Sequence, residues 1–174
     1  MIGIDAAPSL VVAARASDPA MSILQGDAAA LPLPDGCADL VVAFMSLHDI
    51  DPMPEAVGEV ARILKPGGRF CIAIVHPTNS AGKFESDAAD APFVIKGDYL
   101  RSFPYADAVE RAGRSMTFHS RHRPVEAYSI ALEKAGFVVE ALREPALPDY
   151  AVVSERSLRW QRIPLFLHWR ARRM

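Results

Sequence analysis

The stretch 38–44 constrains the fold more than any other part of the sequence. Apart from Asp39 it is apolar throughout, and strands of this kind are typical of parallel sheets that helices cover on both faces. Further runs of strand type occur along the chain, at residues 2–5, 21–24, 69–75 and 137–142. Helical patterns separate most of these runs, and such alternation predicts an α/β fold with a doubly wound, mostly parallel sheet.

Two helices are clearly marked, and a weakly patterned stretch lies between them. Asp51 and Pro52 introduce an apolar stripe of helical spacing that Gly67 and Gly68 follow. Another helix follows Pro124. Between the two, residues 76–123 lack a clear period and predict an insertion, a lid over one end of the sheet, with a short helix at 105–112. The whole chain, 1–174, is expected to form a single domain.

Charge and composition exclude several classes of partner. The chain has 19 Lys and Arg against 21 Asp and Glu, a net charge of −2, so no basic nucleic-acid footprint is expected. The two cysteines have no metal-ligand spacing, and no metal site is expected. Membrane-length apolar runs and leader-like segments are lacking in the sequence as well. A cytoplasmic protein without membrane contact is the expectation.

Acidic residues follow the first two strand patterns. Asp5 ends the first and Asp27 follows the second. Open α/β sheets bind ligands outside the carboxyl ends of their strands, and an acid there can accept hydrogen bonds from ribose hydroxyls. Each residue also has a local alternative, since Asp5 could cap the following helix and Asp27 could form a turn.

Histidine and tyrosine side chains are candidates for the chemistry. His48 follows the 38–44 strand and could act as a general base near neutral pH, or it could be a packing residue. His122 precedes the helix after Pro124, and Tyr99 lies in the insertion, where lid packing is the alternative role. We predict that His48, Tyr99 and His122 share one cleft.

A series of short motifs narrows the class of protein. They are Gly3-Ile4-Asp5, Gly26-Asp27-Ala28 with Leu31-Pro32, Ala38-Asp39-Leu40-Val41-Val42, Leu47-His48, and Arg62-Ile63-Leu64-Lys65-Pro66-Gly67-Gly68. In this order and at these distances the series resembles the class I S-adenosylmethionine-dependent methyltransferases of small molecules, the group that contains the ubiquinone and menaquinone methyltransferases. The resemblance is close to about Val75 and looser through Phe137.

The resemblance implies a cofactor and a set of roles. S-adenosyl-L-methionine would be the methyl donor and a small molecule the acceptor. Asp5, with Ala6 beside it, would bind the ribose, and Asp27 with Ala28 would contact the adenine. Ala43 to Met45 would lie along the methionine part of the cofactor. His48 would face the reaction site or stand just behind it.

The resemblance also implies a departure from the family pattern. The family begins with a strand, a glycine-rich turn and a helix that are not found before Ile2 here. The expectation is therefore a truncated domain without its central first strand and first helix, impaired in methyl transfer. Exposed strand edges would favour a homodimer. The alternative is a non-catalytic remnant or an interaction protein that binds no cofactor; a nicotinamide-dependent dehydrogenase would need a glycine fingerprint that is also missing.

Overall fold

The computed structural model of the chain describes residues 1–111 and 113–174. Its helices are α1 (Pro8–Ser17), α2 (Met53–Ile63), α3 (Pro77–Ala81), α4 (Val125–Lys134) and α5 (Glu155–Leu158). Its strands are β1 (Ile2–Asp5), β2 (Ser22–Gln25), β3 (Ala38–Phe44), β4 (Leu64–Val75), β5 (Gly82–Phe84), β6 (Phe93–Ile95), β7 (Phe103–Arg111), β8 (Arg114–His122), β9 (Phe137–Arg143) and β10 (Phe166–Arg173). Two short 3-10 turns, Asp149–Ala151 and Arg159–Gln161, complete the description.

The α/β class is confirmed, and the main sheet is mixed. β1 pairs with β2 in parallel, and a separate four-stranded sheet has the order β3-β4-β10-β9. β3 runs parallel to β4, whereas β10 is antiparallel to both of its neighbours. β9 therefore has the same direction as β4. In the described part of the chain no ladder joins β1 to β3.

The core lies between one face of the four-stranded sheet and two helices. α2 buries the apolar stripe that the sequence predicts, including Met53, Ala56 and Val57. α4 adds Tyr128 and Leu132, and the sheet adds the alternate β4 residues Phe70, Ile72 and Ile74. The period of 3.6 in the helices and the period of 2 in the strand place all these side chains on one contact surface.

The other face of β3 is open, and the expectation of helices on both faces is wrong for this strand. Val41 and Ala43 pack against the core, but Leu40, Val42 and Phe44 are 55, 61 and 73 % exposed. β3 also has a ladder with β4 alone among the described residues, so one of its edges is unpaired. Its apolar composition predicts burial that the described residues do not supply.

The insertion is built from two hairpins. β5 pairs with β6, and β7 pairs with β8 over nine residue pairs from Phe103–His122 to Arg111–Arg114. The short helix predicted at 105–112 is wrong, because residues 105–111 are strand, and Ala112 lies outside the described residues. Residues 105–111 include good helix formers, but pairing with β8 overrides local propensity.

Helix lengths are modest throughout. Among the described residues no helix is both long enough and apolar enough to span a membrane.

Candidate functional site

Asp5 ends β1 and combines the two roles that the sequence leaves open. Its Oδ1 accepts a hydrogen bond from the Ala7 amide at 2.8 Å, which holds the turn into α1. Its backbone carbonyl accepts from the Gly26 amide at 3.0 Å and ties β1 to the end of β2. The second carboxylate oxygen has no hydrogen-bond partner in the described chain, so a ligand hydroxyl could use it. Ala6 is exposed beside it.

Asp27 has a similar arrangement after β2. Its Oδ1 accepts from the Ala29 amide at 2.9 Å, and its carbonyl accepts from the Ala30 amide at 3.0 Å. The side chain is exposed, while Ala28 packs against the core. Asp27 therefore shapes its own turn and still presents one carboxylate oxygen to solvent.

An ion-pair clamp holds the loop after Asp27 against α2, and sequence analysis missed it. Glu59 accepts from the Leu31 amide at 2.7 Å and from the Arg62 side chain at 2.8 Å. Arg62 also donates to the carbonyls of Leu31 and Leu33 at 3.0 and 2.8 Å, and to Asp35 at 2.7 Å. The hydrogen bond from Arg62 is the main cause that lowers the pKa of Glu59, and the bond from Leu31 lowers it further.

Replacing Arg62 by Met should therefore loosen this loop. We expect Arg62→Met to lower the melting temperature by about 2–4 °C at neutral pH, the shift typical of a modest destabilisation in a domain of this size. The folded-state pKa of Glu59 lies below its unfolded value. The clamp therefore stabilises the fold above the ordinary glutamate pKa, and this stabilisation is lost as pH falls through the folded-state value.

The control for this variant is Arg101→Met. Arg101 forms an exposed pair with Asp98 at 3.1 Å, and such pairs contribute little to stability. Calorimetric scans from acidic to neutral pH measure both variants. Equal melting temperatures for the two variants at neutral pH would contradict a role of the clamp.

Met45 directly follows β3 and has an unusual backbone. Its φ is 53°, and no other non-glycine residue among those described has a positive φ. Its amide donates a hydrogen bond to the Ala73 carbonyl at 2.8 Å. A left-handed conformation costs such a side chain about 1–3 kcal/mol, and residues of this kind cluster at functional sites. Ala43, two residues earlier, packs against the core.

His48 is buried in the turn that follows. Its carbonyl accepts from the Arg121 amide at 3.1 Å, which ties this turn to β8. Burial lowers the pKa of His48; Asp49 opposes this shift and Arg123 adds to it. The imidazole is therefore neutral at neutral pH. Its Nε2 lies 3.5 Å from Asp49 Oδ1, and its Nδ1 is buried with no hydrogen-bond partner among the described residues.

Asp49 faces a cavity of about 540 Å³ between this turn and the β7–β8 hairpin. Its Oδ1 also accepts from the Ser120 hydroxyl at 2.5 Å. Tyr105 and His119 line the same cavity, and burial raises the pKa of Tyr105, which keeps its phenol protonated. Asp49 was not singled out from the sequence, because the fold alone brings Ser120 to it.

His122 and Tyr99 lie together, away from this cavity lining. His122 is fully buried; its Nε2 donates to the Tyr99 carbonyl at 2.8 Å, and its Nδ1 is 2.7 Å from the Ser80 hydroxyl. Since a carbonyl only accepts, the proton is assigned to Nε2, and Nδ1 accepts from Ser80. Its ring stacks on Phe103 at 4.6 Å and meets the Tyr99 ring at 5.5 Å. In this structure neither ring nitrogen is free for a substrate.

The sequence predicts that His48, Tyr99 and His122 share a cleft. In the structure they lie close to one another along β8, but no described cavity is lined by all three. His48 contacts β8 at Arg121, and Tyr99 contacts it at His122. None of the three is among the described residues that line the cavity beside His48. Their roles in the chemistry stay predictions.

Two parallel strand pairs, acids at the ends of β1 and β2, and a strained turn after β3 are features that this chain shares with α/β domains that bind nucleotide cofactors. Residues 1–72 match the methyltransferase domain family. A solved S-adenosylmethionine-dependent methyltransferase from Mesorhizobium loti superposes with a TM-score of 0.80 at 25% identity, over 99% of this chain and 79% of that one. Residues 1–72 are accordingly similar to a methyltransferase domain, and the fold is similar to that of S-adenosylmethionine-dependent methyltransferases.

Curated relatives match its first half. Demethylmenaquinone methyltransferase of Thermus thermophilus is 34% identical over 88 residues, 48% of this chain and 40% of that protein. Phthiotriol/phenolphthiotriol dimycocerosates methyltransferase of Mycobacterium leprae is 33% identical over 73 residues, 42% of this chain and 27% of that protein. The chain thus spans well under two thirds of these relatives.

Proposed function

We propose that the chain transfers a methyl group from S-adenosylmethionine to a small-molecule acceptor. The observation that supports this most is what lies at the ends of three strands. Asp5 at the end of β1 and Asp27 after β2 each keep one carboxylate oxygen without a partner among the described residues, and Met45 after β3 has a left-handed backbone. Quinone methyltransferases among the relatives, such as that of Thermus thermophilus, favour a small acceptor.

The residues present suit the nucleoside part of the cofactor. The free carboxylate oxygen of Asp5, next to Ala6, would accept from the ribose hydroxyls. The free oxygen of Asp27 would accept from the adenine amino group, with the Ala28 backbone beside it. Ala43 and Met45 would flank the methionine part. The cofactor supplies an activated methyl group, so the protein has mainly to align the acceptor with it.

On the acceptor side we propose that Asp49 is the group nearest the reacting atom and that His48 stands just behind it. Asp49 lines the cavity, and His48 Nε2 lies 3.5 Å from its carboxylate. A neutral imidazole there can share the proton that a hydroxyl or amine acceptor releases. Tyr99 and His122 would act as positioning residues, since they hold the insertion that closes this cavity.

We also propose that the chain associates with a second copy of itself through β3. The outer face of β3 leaves Val42 and Phe44 exposed. The strand edge beside this face is unpaired among the described residues, and such an edge favours association with another chain.

Calorimetric titration with S-adenosylmethionine tests the proposed function, with NADH as the control ligand. We expect the protein to bind S-adenosylmethionine and not NADH. A folded protein that binds neither ligand would contradict the proposal and favour the interaction protein. Size-exclusion chromatography at several protein concentrations measures whether the chain associates with a second copy of itself.

Methyl transfer is then measured with labelled S-adenosylmethionine and a panel of small phenols, amines and quinols. Asp49→Asn should lower the transfer rate at unchanged cofactor affinity, by roughly a hundredfold if Asp49 and His48 share the proton. The control is Asp107→Asn, on the exposed part of the β7–β8 hairpin. Equal rates for the two variants would remove Asp49 from the chemistry.

A further inference from the structure

A second cavity lies outside the site described so far. It has a volume of about 430 Å³ and lies between the β5–β6 hairpin, α3 and the segment formed by α5 and the turn Arg159–Gln161. Its volume is in the range of small-molecule sites. The proposed methyl transfer assigns no role to it.

A buried arginine forms one wall of this cavity. Arg159 is 7 % exposed, and its guanidinium carbon lies 4.7 Å from the Phe84 ring centre and 5.8 Å from that of Trp160. Its Nη1 donates to the Ser86 carbonyl at 2.7 Å and to Asp87 at 2.9 Å. The side chain is therefore held in place from one side only, through Nη1.

The opposite edge of this guanidinium is unpaired among the described residues. Arg159 Nε is buried and has no hydrogen-bond partner among the described residues, and no described residue accepts from Nη2. The Nε and Nη2 protons point in parallel from one edge of the planar group, which is the arrangement that binds a carboxylate through two hydrogen bonds. A buried donor without an acceptor is costly, so such an edge calls for an anion.

Asn79 provides a second unsatisfied group in the same cavity. Its Nδ2 donates to the carbonyls of Pro164 and Leu165 at 2.9 and 3.0 Å, which fixes the orientation of the amide. Its Oδ1 is buried and has no partner among the described residues. A carbonyl oxygen accepts only, so the group that completes this site must carry a hydrogen-bond donor.

Aromatic rings line the space around these two polar groups. Phe84 meets Phe93 and Trp160 edge-to-face, with ring centres 5.0 Å apart in each pair, and all three rings line the cavity. Rings in this arrangement provide contact surface for a planar apolar body. We propose that the cavity binds a small aromatic carboxylate that bears a hydroxyl or amino group: the carboxylate on the Arg159 edge, the donor on Asn79 Oδ1.

Calorimetric titration of the unmodified protein with benzoate, the three hydroxybenzoates and the matching hydroxybenzamides tests the proposal. We expect at least one hydroxybenzoate to bind more tightly than benzoate, because only it can donate to Asn79. The neutral hydroxybenzamides should bind about tenfold more weakly or not at all, since they lack the charge that Arg159 requires. Equal affinity for hydroxybenzoates and hydroxybenzamides, or no binding at millimolar concentration, would overturn the proposal.

Variants of two arginines separate binding from scaffolding. Arg159→Lys keeps the charge but loses the two-pronged edge, and it should weaken hydroxybenzoate binding about tenfold or more. The matched control is Arg162→Lys. Arg162 also donates to carbonyls of the loop between β5 and β6, at Ala89 and Ala91, but it does not line the cavity. Equal losses of affinity in both variants would mean a structural role and contradict the site.

The same samples also report how the site relates to methyl transfer. Labelled methyl transfer to the bound hydroxybenzoate would support the cavity as the acceptor site, and binding without transfer would support it as a separate ligand site. Because binding is read by calorimetry without S-adenosylmethionine, failure of the proposed transferase activity leaves this result intact.

Discussion

His122→Ala is expected to lower the free energy of unfolding by about 3–5 kcal/mol. The change removes a fully buried ring that stacks on Phe103, and large-to-small changes of this size typically cost that much. It also leaves the Tyr99 carbonyl without its partner, whereas the Ser80 hydroxyl keeps the Pro77 carbonyl as an acceptor at 3.1 Å. Since whole domains are stable by only about 5–15 kcal/mol, the variant should be close to unfolding at 37 °C. Urea denaturation followed by circular dichroism measures the effect.

The control is His119→Ala, three residues earlier on the same strand. His119 is exposed, so this variant should change stability by less than about 0.5 kcal/mol. Similar denaturation midpoints for the two variants would show that the His122 contacts contribute nothing, and would return His122 to the list of residues available for catalysis.

Asp5→Asn should weaken S-adenosylmethionine binding by more than tenfold while leaving the fold intact. Asparagine keeps the Oδ1 that accepts from the Ala7 amide, so the turn into α1 is preserved. It replaces the free carboxylate oxygen with an amide that cannot accept from ribose hydroxyls. Hydrogen bonds to a charged group are worth about 1.5–3 kcal/mol, which corresponds to at least about a tenfold change.

Asp18→Asn is the matched control, because Asp18 Oδ1 accepts from the Ala20 amide at 3.0 Å in the same kind of turn. Calorimetric titration and melting curves of both variants separate affinity from stability. If Asp5→Asn binds the cofactor as tightly as the unmodified protein, Asp5 is a turn-forming residue and nothing more.

Periodic segments of this fold were predictable from sequence. The α2 stripe around Val57, the strand 38–44 and the helix after Pro124 all form where local pattern and packing agree. The β7–β8 hairpin could not be predicted from the sequence. Its strand character depends on pairing across the turn at Gly113 and not on the residues of 105–112 alone. Likewise, the open face of β3 cannot be read from its composition, which is that of a buried strand.

Some residues of the candidate site could likewise be predicted from the sequence, and others could not. Asp5 and Asp27 could be selected because a position at a strand end is visible in one dimension. The pairs Asp49–Ser120 and Glu59–Leu31 are 71 and 28 residues apart, and no local signal marks either. No local signal marks Arg159 either, and only the structure shows its two aromatic neighbours and its unpaired Nε.

The position of β10 has a consequence for the order of folding. β10 lies between β4 and β9 although both precede it in the chain, and its residues pair with partners as early as Arg69. During synthesis β4 and β9 therefore have no shared partner until the segment Phe166–Arg173 has left the ribosome. Long-range pairing of this kind slows folding. Until then the inward-facing residues of both strands are exposed along an open edge, and a nascent chain stalled before residue 166 should be a preferred substrate for chaperones.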